Sequence, residues 1–409
     1  MNTNQRDAAR VAWRNIWRNR SRSLVIVASV GIGLWAGIFL IAFYNGMIRQ
    51  RIRSAIDREV SHLQVHHPRF SDDHDLRYHL GDAGAILGRL RSDPGVLVAA
   101  PRIVAHGMVS TAAGSAGVVI NGVDPALEAR LTLLSAKVAE GAYFTAGGRQ
   151  EVIVGLRLAR KLRLALHRKL VLTVSDRQGS LSSAAFRVAG IYRTPNTPYD
   201  EANLFIRLPD AAALCAMADS VNELAVLLHR DEAADSLAAV LSAAFPTAEV
   251  KAWKDLAPEM QVLVATTGSM LYVFMGVILL ALGFGIVNTM LMAVLERTRE
   301  IGMLLALGMS RPRVFGMVLL ETFLLVMAGC PAGIAAALAT VALTGRQGID
   351  FSVFSRALES FGWETRVHPQ LASGDLRRIV LLVILTALVA ALLPARRAFR
   401  LRPADAMRK

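Results

Sequence analysis

The sequence predicts an α-helical integral membrane protein with four transmembrane helices and one large exported domain of mixed α/β build. Three observations carry that prediction. Hydrophobic residues make up 54% of the chain, whereas 19% are charged and 6% aromatic. Four long stretches are almost free of charge. The formal charge of +14 is gathered in short segments beside those stretches. A nucleic-acid-binding protein of this charge would be polar, with Lys and Arg set among aromatic residues. A basic and apolar chain belongs to the membrane, and nucleic acid is excluded as a partner. Only two cysteines, Cys215 and Cys330, are present, with no C-x-x-C spacing, which excludes a disulfide scaffold or a zinc ribbon.

The elements follow in chain order. Residues 1–22 read as a cytoplasmic amphipathic helix. Arg10, Arg14 and Arg18 recur every fourth residue, while Trp13 and Trp17 lie on another face as membrane-interface anchors. The first span is 23–47, with no charge from 24 to 47. At about 1.5 Å per residue its length exceeds the roughly 30 Å hydrocarbon core. It offers no small-x-small cleavage site after its apolar run and is expected to stay as an anchor. Residues 48–261 form the exported domain. It opens with Ile48, Ile52 and Ile56 at helical spacing, a stalk continuing the first helix. Alternation over 60–66 predicts a half-buried strand. A helix follows at 80–90, extended chain at 96–111, and a strand at 118–123 ending in the Asp124-Pro125 turn signal. Residues 151–166 predict a strand and a helix; 170–175 and 186–192 predict strands about a Gln178-Gly179 turn; 223–253 predict a closing β-α-β unit. The build expected is a β-α-β half at each end, with a strand-rich insertion near 115–215. The second span, 262–295, is 34 uncharged residues, long enough to protrude as a matching stalk. A loop at 296–313, a third span at 314–343 with one charge at Glu321, an outer loop at 344–378, a fourth span at 379–395 and a tail at 396–409 complete the chain. The fourth span is short, but Arg377, Arg378, Arg396 and Arg397 flank it and can snorkel. Segments 1–22, 296–313 and 396–409 carry net charges of +5, +2 and +5, which puts all three in the cytoplasm and the large domain outside.

Among residues that carry chemistry, His62, His66, His67, His74 and His79 lie close together in sequence, beside Asp72, Asp73 and Asp75. Imidazoles with carboxylates suit zinc or copper. On a strand, however, residues four apart are about 13 Å apart. Only a folded-back loop would gather His67, His74 and an Asp, so no metal site is assigned and those two stand as the candidates. Glu321, deep in an apolar span, must face protein or a cavity. Without a partner Lys, His or Asp in the spans it reads as a hydrogen-bonding group between helices rather than a proton carrier. Gly33 with Gly37 and Gly329 with Gly333 are G-x-x-x-G pairs that permit close helix contact, and Pro331 is able to kink its helix. No phosphate-binding G-x-x-x-x-G-K-[ST], G-x-S-x-G or H-E-x-x-H motif occurs, so the sequence offers no enzyme activity and no ATP site of its own. The most specific segment is 296–313, where alternating charges precede Ile301, Leu304, Leu305 and Leu307, with Gly302 and Gly308 as breaks. It predicts a short helix along the membrane that docks a cytoplasmic partner.

Those last residues resemble the permease subunits of FtsX/MacB-type ABC systems, including the lipoprotein-releasing LolC/LolE branch. The family pattern E-R-x-x-E-I-G-x-L-x-A-L-G is matched by Glu296, Arg297, Glu300, Ile301, Gly302, Leu304, Ala306, Leu307 and Gly308. Ala12-Trp13-Arg14-Asn15-Ile16-Trp17-Arg18-Asn19 and Glu321 also fit, as do the order of spans and outer domain. His62-Leu63-Gln64-Val65-His66, Asn121-Gly122-Val123-Asp124-Pro125 and Glu140-Gly141-Ala142-Tyr143-Phe144 are similar to the lipoprotein-release branch. Where relatives often read leucine-glycine-leucine and then glycine-aspartate, this chain has Arg163, His167 and Arg168, so that turn is expected to be reshaped. The resemblance implies a MacB-like core domain in the periplasm and a bacterial inner-membrane location. It implies two permease copies, identical or paralogous, on two ABC ATPase subunits that hold ATP and Mg. The coupling helix seated on the ATPase would comprise Glu296, Arg297, Arg299, Glu300, Ile301, Gly302, Leu304, Leu305 and Gly308. Phe39, Phe43, Met270 and Phe274 would line a cavity for acyl chains, or equally face lipid. Lipoprotein release, with lipoproteins and a periplasmic chaperone as partners, is the favoured work. An FtsX-like mechanotransmitting regulator of a periplasmic enzyme and a MacB-like efflux pump are the alternatives.

Overall fold

The computed structural model describes residues 20–399 apart from 146 and 219. Trp13, Trp17 and the amphipathic segment before residue 20 lie outside the described residues, as does the tail beyond residue 399. The chain divides into two compact units. The outer one comprises Arg49–Leu263 with Phe351–Thr365, and the other holds the spans.

Four helices are long and apolar enough to cross a membrane: Arg20–Ala55, Pro258–Glu296, Arg311–Gln347 and Ser373–Phe399. Each runs past the limits read from the uncharged stretches. The fourth reaches 27 residues because the helix passes through its flanking arginines and through Pro394. A helix ends where its backbone hydrogen bonds end, not where its charge begins. The spans share one apolar core, built from Val30, Leu34 and Ile38 of the first, Leu282 and Ile286 of the second, Val318 and Leu325 of the third, and Val383 and Ala387 of the fourth. Small residues set the closest approach. A Cβ on Gly333 would lie 2.6 Å from the Gly31 carbonyl oxygen, and one on Gly329 2.8 Å from that of Val27. The first and third spans therefore touch backbone to backbone. Gly33 and Gly37 face Leu282 and Met275 of the second span instead.

In the outer unit ten strands join in one sheet: β1 (Leu63–His66), β2 (Val96–Thr111), β3 (Gly114–Val123), β4 (Val138–Gly141), β5 (Glu151–Gly155), β6 (Lys169–Ser175), β7 (Leu181–Tyr192), β8 (Asn203–Arg207), β9 (Glu223–Leu228) and β10 (Glu249–Ala252). One half runs β10-β1-β9-β2, all antiparallel. Helices Ala83–Arg91 and Ala234–Ala244 cover one face through Leu63, Val65, Leu224 and Val226. Ile56, Leu131 and their neighbours cover the other. For this reason β1 is buried on both sides, and the half-buried strand expected from its alternation is corrected.

The second half closes on itself. β2 pairs with β3, β3 with β8, β8 with β5, β5 with β7, β7 with β6, and β6 returns to β2. The insertion expected near 115–215 is thus a six-stranded barrel that shares the 16-residue β2 with the open half. Ile120, Val154, Leu172, Phe186, Val188 and Leu204 fill it, and closure leaves its six strands without a free edge. Asp124 ends β3, and its side chain caps the next helix, Pro125–Leu131, by accepting from the Ala126 and Leu127 amides. The Gln178-Gly179 turn joins β6 to β7 as expected, with Gly179 at φ +83°. In the turn after the Leu156–Lys161 helix, Arg163 and His167 sit at φ +50° and +64°, a left-handed conformation that non-glycine residues adopt at a steric cost. The outer loop between spans three and four also holds structure: a two-stranded pair (Ile349–Asp350 with Arg366–Val367) and the helix Ser355–Ser360.

At the stalk, Ala55 and Val60 pack with Ala257, Met260 and Leu263, so the expected pair of adjoining helices forms in the outer unit.

Candidate functional site

The segment after the second span folds as expected into a short helix, Thr298–Ala306. The second helix stops at Glu296, Arg297 is the junction, and Gly308 at φ +93° turns the chain into the third span, which starts at Arg311. Helical spacing divides the residues into two faces. Ile301 and Gly302 are buried, Leu305 packs against the core of the spans, and Arg297 points the same way. Glu296, Arg299, Glu300 and Gly308 are exposed. With them on the outward side are Met303 and Leu307, 49% and 85% exposed, and Leu304 lies between the faces. Met303 is the exposed residue that the sequence reading does not single out, whereas Leu307 is read there as one of the apolar residues of the segment. The signal for Met303 is its spacing from Glu300 and toward Leu307, the 3–4-residue steps that put side chains on one side of a helix. An exposed stripe of mixed charged and apolar residues is what a docking helix presents.

Behind the helix, Arg297 donates through Nη1 to Glu321 Oε1 at 2.9 Å and Oε2 at 3.3 Å. The hydrogen bond between helices expected of Glu321 is therefore an ion pair, made with the residue that joins the second span to the Thr298–Ala306 helix. A cavity of about 330 Å³ lies beside the pair, lined by Met290, Val294, Met303, Leu304, Met317 and Val318.

The other candidates are placed as follows. Phe39 and Phe43 adjoin along the first span, their rings tilted with centroids 6.4 Å apart, and are half-buried. Met270 and Phe274 are 58% and 59% exposed on the second span, whose side facing the first span is marked instead by Met275 and Leu282. The five histidines find separate partners. His62 Nε2 is 2.8 Å from Asp231 and His66 Nε2 is 3.2 Å from Glu223. His67 stacks on Tyr78, His74 lies tilted against His106 with ring centroids 4.8 Å apart, and His79 meets Arg177. His67 and His74 are thus engaged with different rings. Among the described residues no group of three or more His, Cys, Asp or Glu has a metal-holding arrangement.

A buried polar network, unforeseen from sequence, links β1, β2, β9 and the Pro125–Leu131 helix. Arg102 holds Glu128 through Nε and Nη2 at 3.0 and 2.7 Å and Glu223 through Nη1 at 3.1 Å. Burial alone would raise the Glu223 carboxyl; the His66 hydrogen bond and the Arg102 charge outweigh it and hold the group below its ordinary value.

Two family models match the chain. The MacB-like periplasmic core domain matches residues 23–244, and the FtsX-like permease C-terminal domain matches 272–403. The chain is 24% identical over 405 residues to the lipoprotein-releasing system transmembrane protein LolC of Neisseria meningitidis, covering 94% of each. It is 26% identical to the pyoverdine export ATP-binding/permease protein PvdT of Pseudomonas aeruginosa, over 98% of this chain and 58% of that one. The solved extracellular domain of the noncanonic ABC-type transporter YknZ is similar with a TM-score of 0.33 and 12% identity, over 46% of this chain and 98% of that one.

Proposed function

The chain belongs to the FtsX/MacB family of ABC transporter permeases, and from that premise we propose that it is the inner-membrane subunit of a lipoprotein-releasing system. Two copies, or one copy and a paralogue, would sit on two separate ATPase subunits that bind ATP and Mg²⁺. The outer domain lies in the periplasm and takes up lipoproteins for a periplasmic chaperone. The similarity to LolC supports this cargo, because it runs through spans and outer domain alike, over 94% of both chains.

The observation that carries the coupling mechanism is the outward stripe of the Thr298–Ala306 helix. Arg299 and Glu300 are exposed charges of that helix, and Met303 and Leu307 add apolar surface that is 49% and 85% exposed. Seated in an ATPase cleft, that stripe buries on docking. Met270 and Phe274, exposed on the second span, would face the lipid or the cargo's acyl chains.

The docking test replaces Leu307→Asp or Glu300→Lys in the full chain co-expressed with an ABC ATPase subunit. Co-purification is expected to fall by roughly tenfold or more, as for interface anchors, while membrane insertion is retained. Undiminished co-purification of both variants would show that the helix is not the docking element. Cargo is read separately, by reconstituting the complex in liposomes with an acylated protein and measuring ATP-dependent release. The PvdT similarity over 98% of this chain favours small-molecule export as the second reading. ATP-dependent transport of a soluble small molecule with no release of acylated protein would establish that one instead.

A further inference from the structure

We propose that the Arg297–Glu321 ion pair is the rigid link through which movement of the coupling helix reaches the third span, Arg297 and Glu321 acting as positioning residues for energy coupling. The inference rests on the docking reading above and adds how the docked helix moves the membrane unit.

Arg297 occupies the one position between two helices, after Glu296 and before Thr298, with φ −96° and ψ 13°. Any tilt of the coupling helix against the second span turns about this residue. Its side chain does not cap the helix but reaches across to the third span, where it meets both carboxylate oxygens of Glu321. The two side chains are 12% and 11% exposed, so the pair is screened little by water. Glu321 stands among Val318, Thr322 and Leu325, which are buried in the core of the spans. A pull on the carboxylate therefore acts on the packed face of the third span.

The apolar contact of the coupling helix is uneven. Ile301 and Gly302 are buried, but beside them the cavity of about 330 Å³ separates Met303 and Leu304 from Met290, Met317 and Val318. A close-packed joint transmits displacement through its whole surface, whereas side chains lining a void yield before they push. On the cavity side the short, doubly accepted charge pair is the stiff connection. The cavity gives the helix room to rock without unpacking the spans.

The test uses the full chain reconstituted with its ATPase subunit in liposomes, with Cys215 and Cys330 replaced by Ala. Spin labels are placed at Val273→Cys on the second span and Leu343→Cys on the third, both exposed positions. The probe is ATP with a slowly hydrolysed analogue for trapping, and the readouts are the label-to-label distance change and the KM and kcat for ATP. Glu321→Arg is expected to bind the ATPase and keep the KM for ATP, while the population that moves with nucleotide falls roughly tenfold. The double reversal, Arg297→Glu with Glu321→Arg, should restore most of the movement. Glu321→Gln, which preserves shape, guards against misfolding and should lose movement at unchanged KM. Normal movement in Glu321→Gln, or no restoration in a folded double variant, overturns the link. Failure of the unaltered chain to bind the ATPase at all overturns the docking reading instead, and this inference with it.

Discussion

Arg102 is held in a site where every partner is buried: Glu128 is inaccessible, and Glu223 and His66 are nearly so. Two carboxylates converge on one guanidinium, whose pKa is lowered by burial but raised further by their charges, so it stays protonated. Replacing Arg102→Met would leave both carboxylates facing each other out of water. The expected loss is roughly 3–5 kcal/mol of outer-domain stability, the cost of orphaning buried charge. Denaturant unfolding of the detergent-solubilised chain, followed by tryptophan fluorescence, measures it, and a loss below about 1 kcal/mol would mean the network is not buried as described. Asp200 gives a pH-dependent counterpart. Burial pushes its carboxyl from 3.8 up to about 6, although Thr194 donates to it through N and Oγ1. A carboxyl raised in the folded state favours folding while protonated, so its contribution declines as pH rises from about 4 through about 6. The decline is on the order of 2–3 kcal/mol at most. Asp200→Asn should flatten that part of the stability profile; profiles that stay parallel between pH 4 and 7 would contradict the assignment. Glu223, held low, works in the opposite sense, and its contribution is lost as pH falls below the ordinary carboxylate range.

Between elements, the contact of the first and third spans depends on a missing side chain. Gly333→Leu would drive a Cβ to within 2.6 Å of the Gly31 oxygen and 3.0 Å of the Leu34 Cβ. The helices must separate, at roughly 1–3 kcal/mol for overpacking. Gly316→Leu lies in the same helix, where a Cβ meets nothing within 4 Å, and should leave the melting temperature unchanged. Equal effects of the two would show that helix propensity, not the contact, decides. The G-x-x-x-G spacing made this contact legible, and the Val-rich run at β2 was legible to the residue, because both signals are local. What stayed hidden is pairing. β8 is five residues between two short helices and is held by a parallel neighbour, β3, some 80 residues earlier in the chain. The barrel closes through β6 on β2, and no residue of either strand records that the other will be there. The Thr298–Ala306 segment was legible as a helix but not as two faces, since the buried Ile301, the half-buried Leu305 and the exposed Met303 and Leu307 are equally apolar. The histidines show the converse: neighbours in sequence, they are dispersed by the strand and loops to Asp231, Glu223, Tyr78, His106 and Arg177.

For the molecule as a whole, the charge is the argument for orientation. Most of the +14 falls in 1–22, 296–313 and 396–409, segments that flank the spans on one side. With four spans, the charge rule predicts that these three segments, the Thr298–Ala306 helix among them, share the cytoplasmic side and that the sheet-bearing domain is exported. The two native cysteines make this directly testable. Cys215 is buried in the barrel core, where burial pushes its thiol up to about 12, and Cys330 is buried in the third span. Neither should react with a maleimide that cannot cross membranes, because the thiolate is the nucleophile and must be reached. Two exposed positions then report the sides: Gln178→Cys, on the turn between β6 and β7, and Ser310→Cys, between the coupling helix and the third span. In cells with a permeabilised outer envelope the reagent should modify Gln178→Cys and spare Ser310→Cys. Inverted membrane vesicles should give the reverse. Labelling of Ser310→Cys from outside would place the coupling helix away from the ATP-containing compartment, and with it would fall both the docking stripe and the charge rule that oriented the chain.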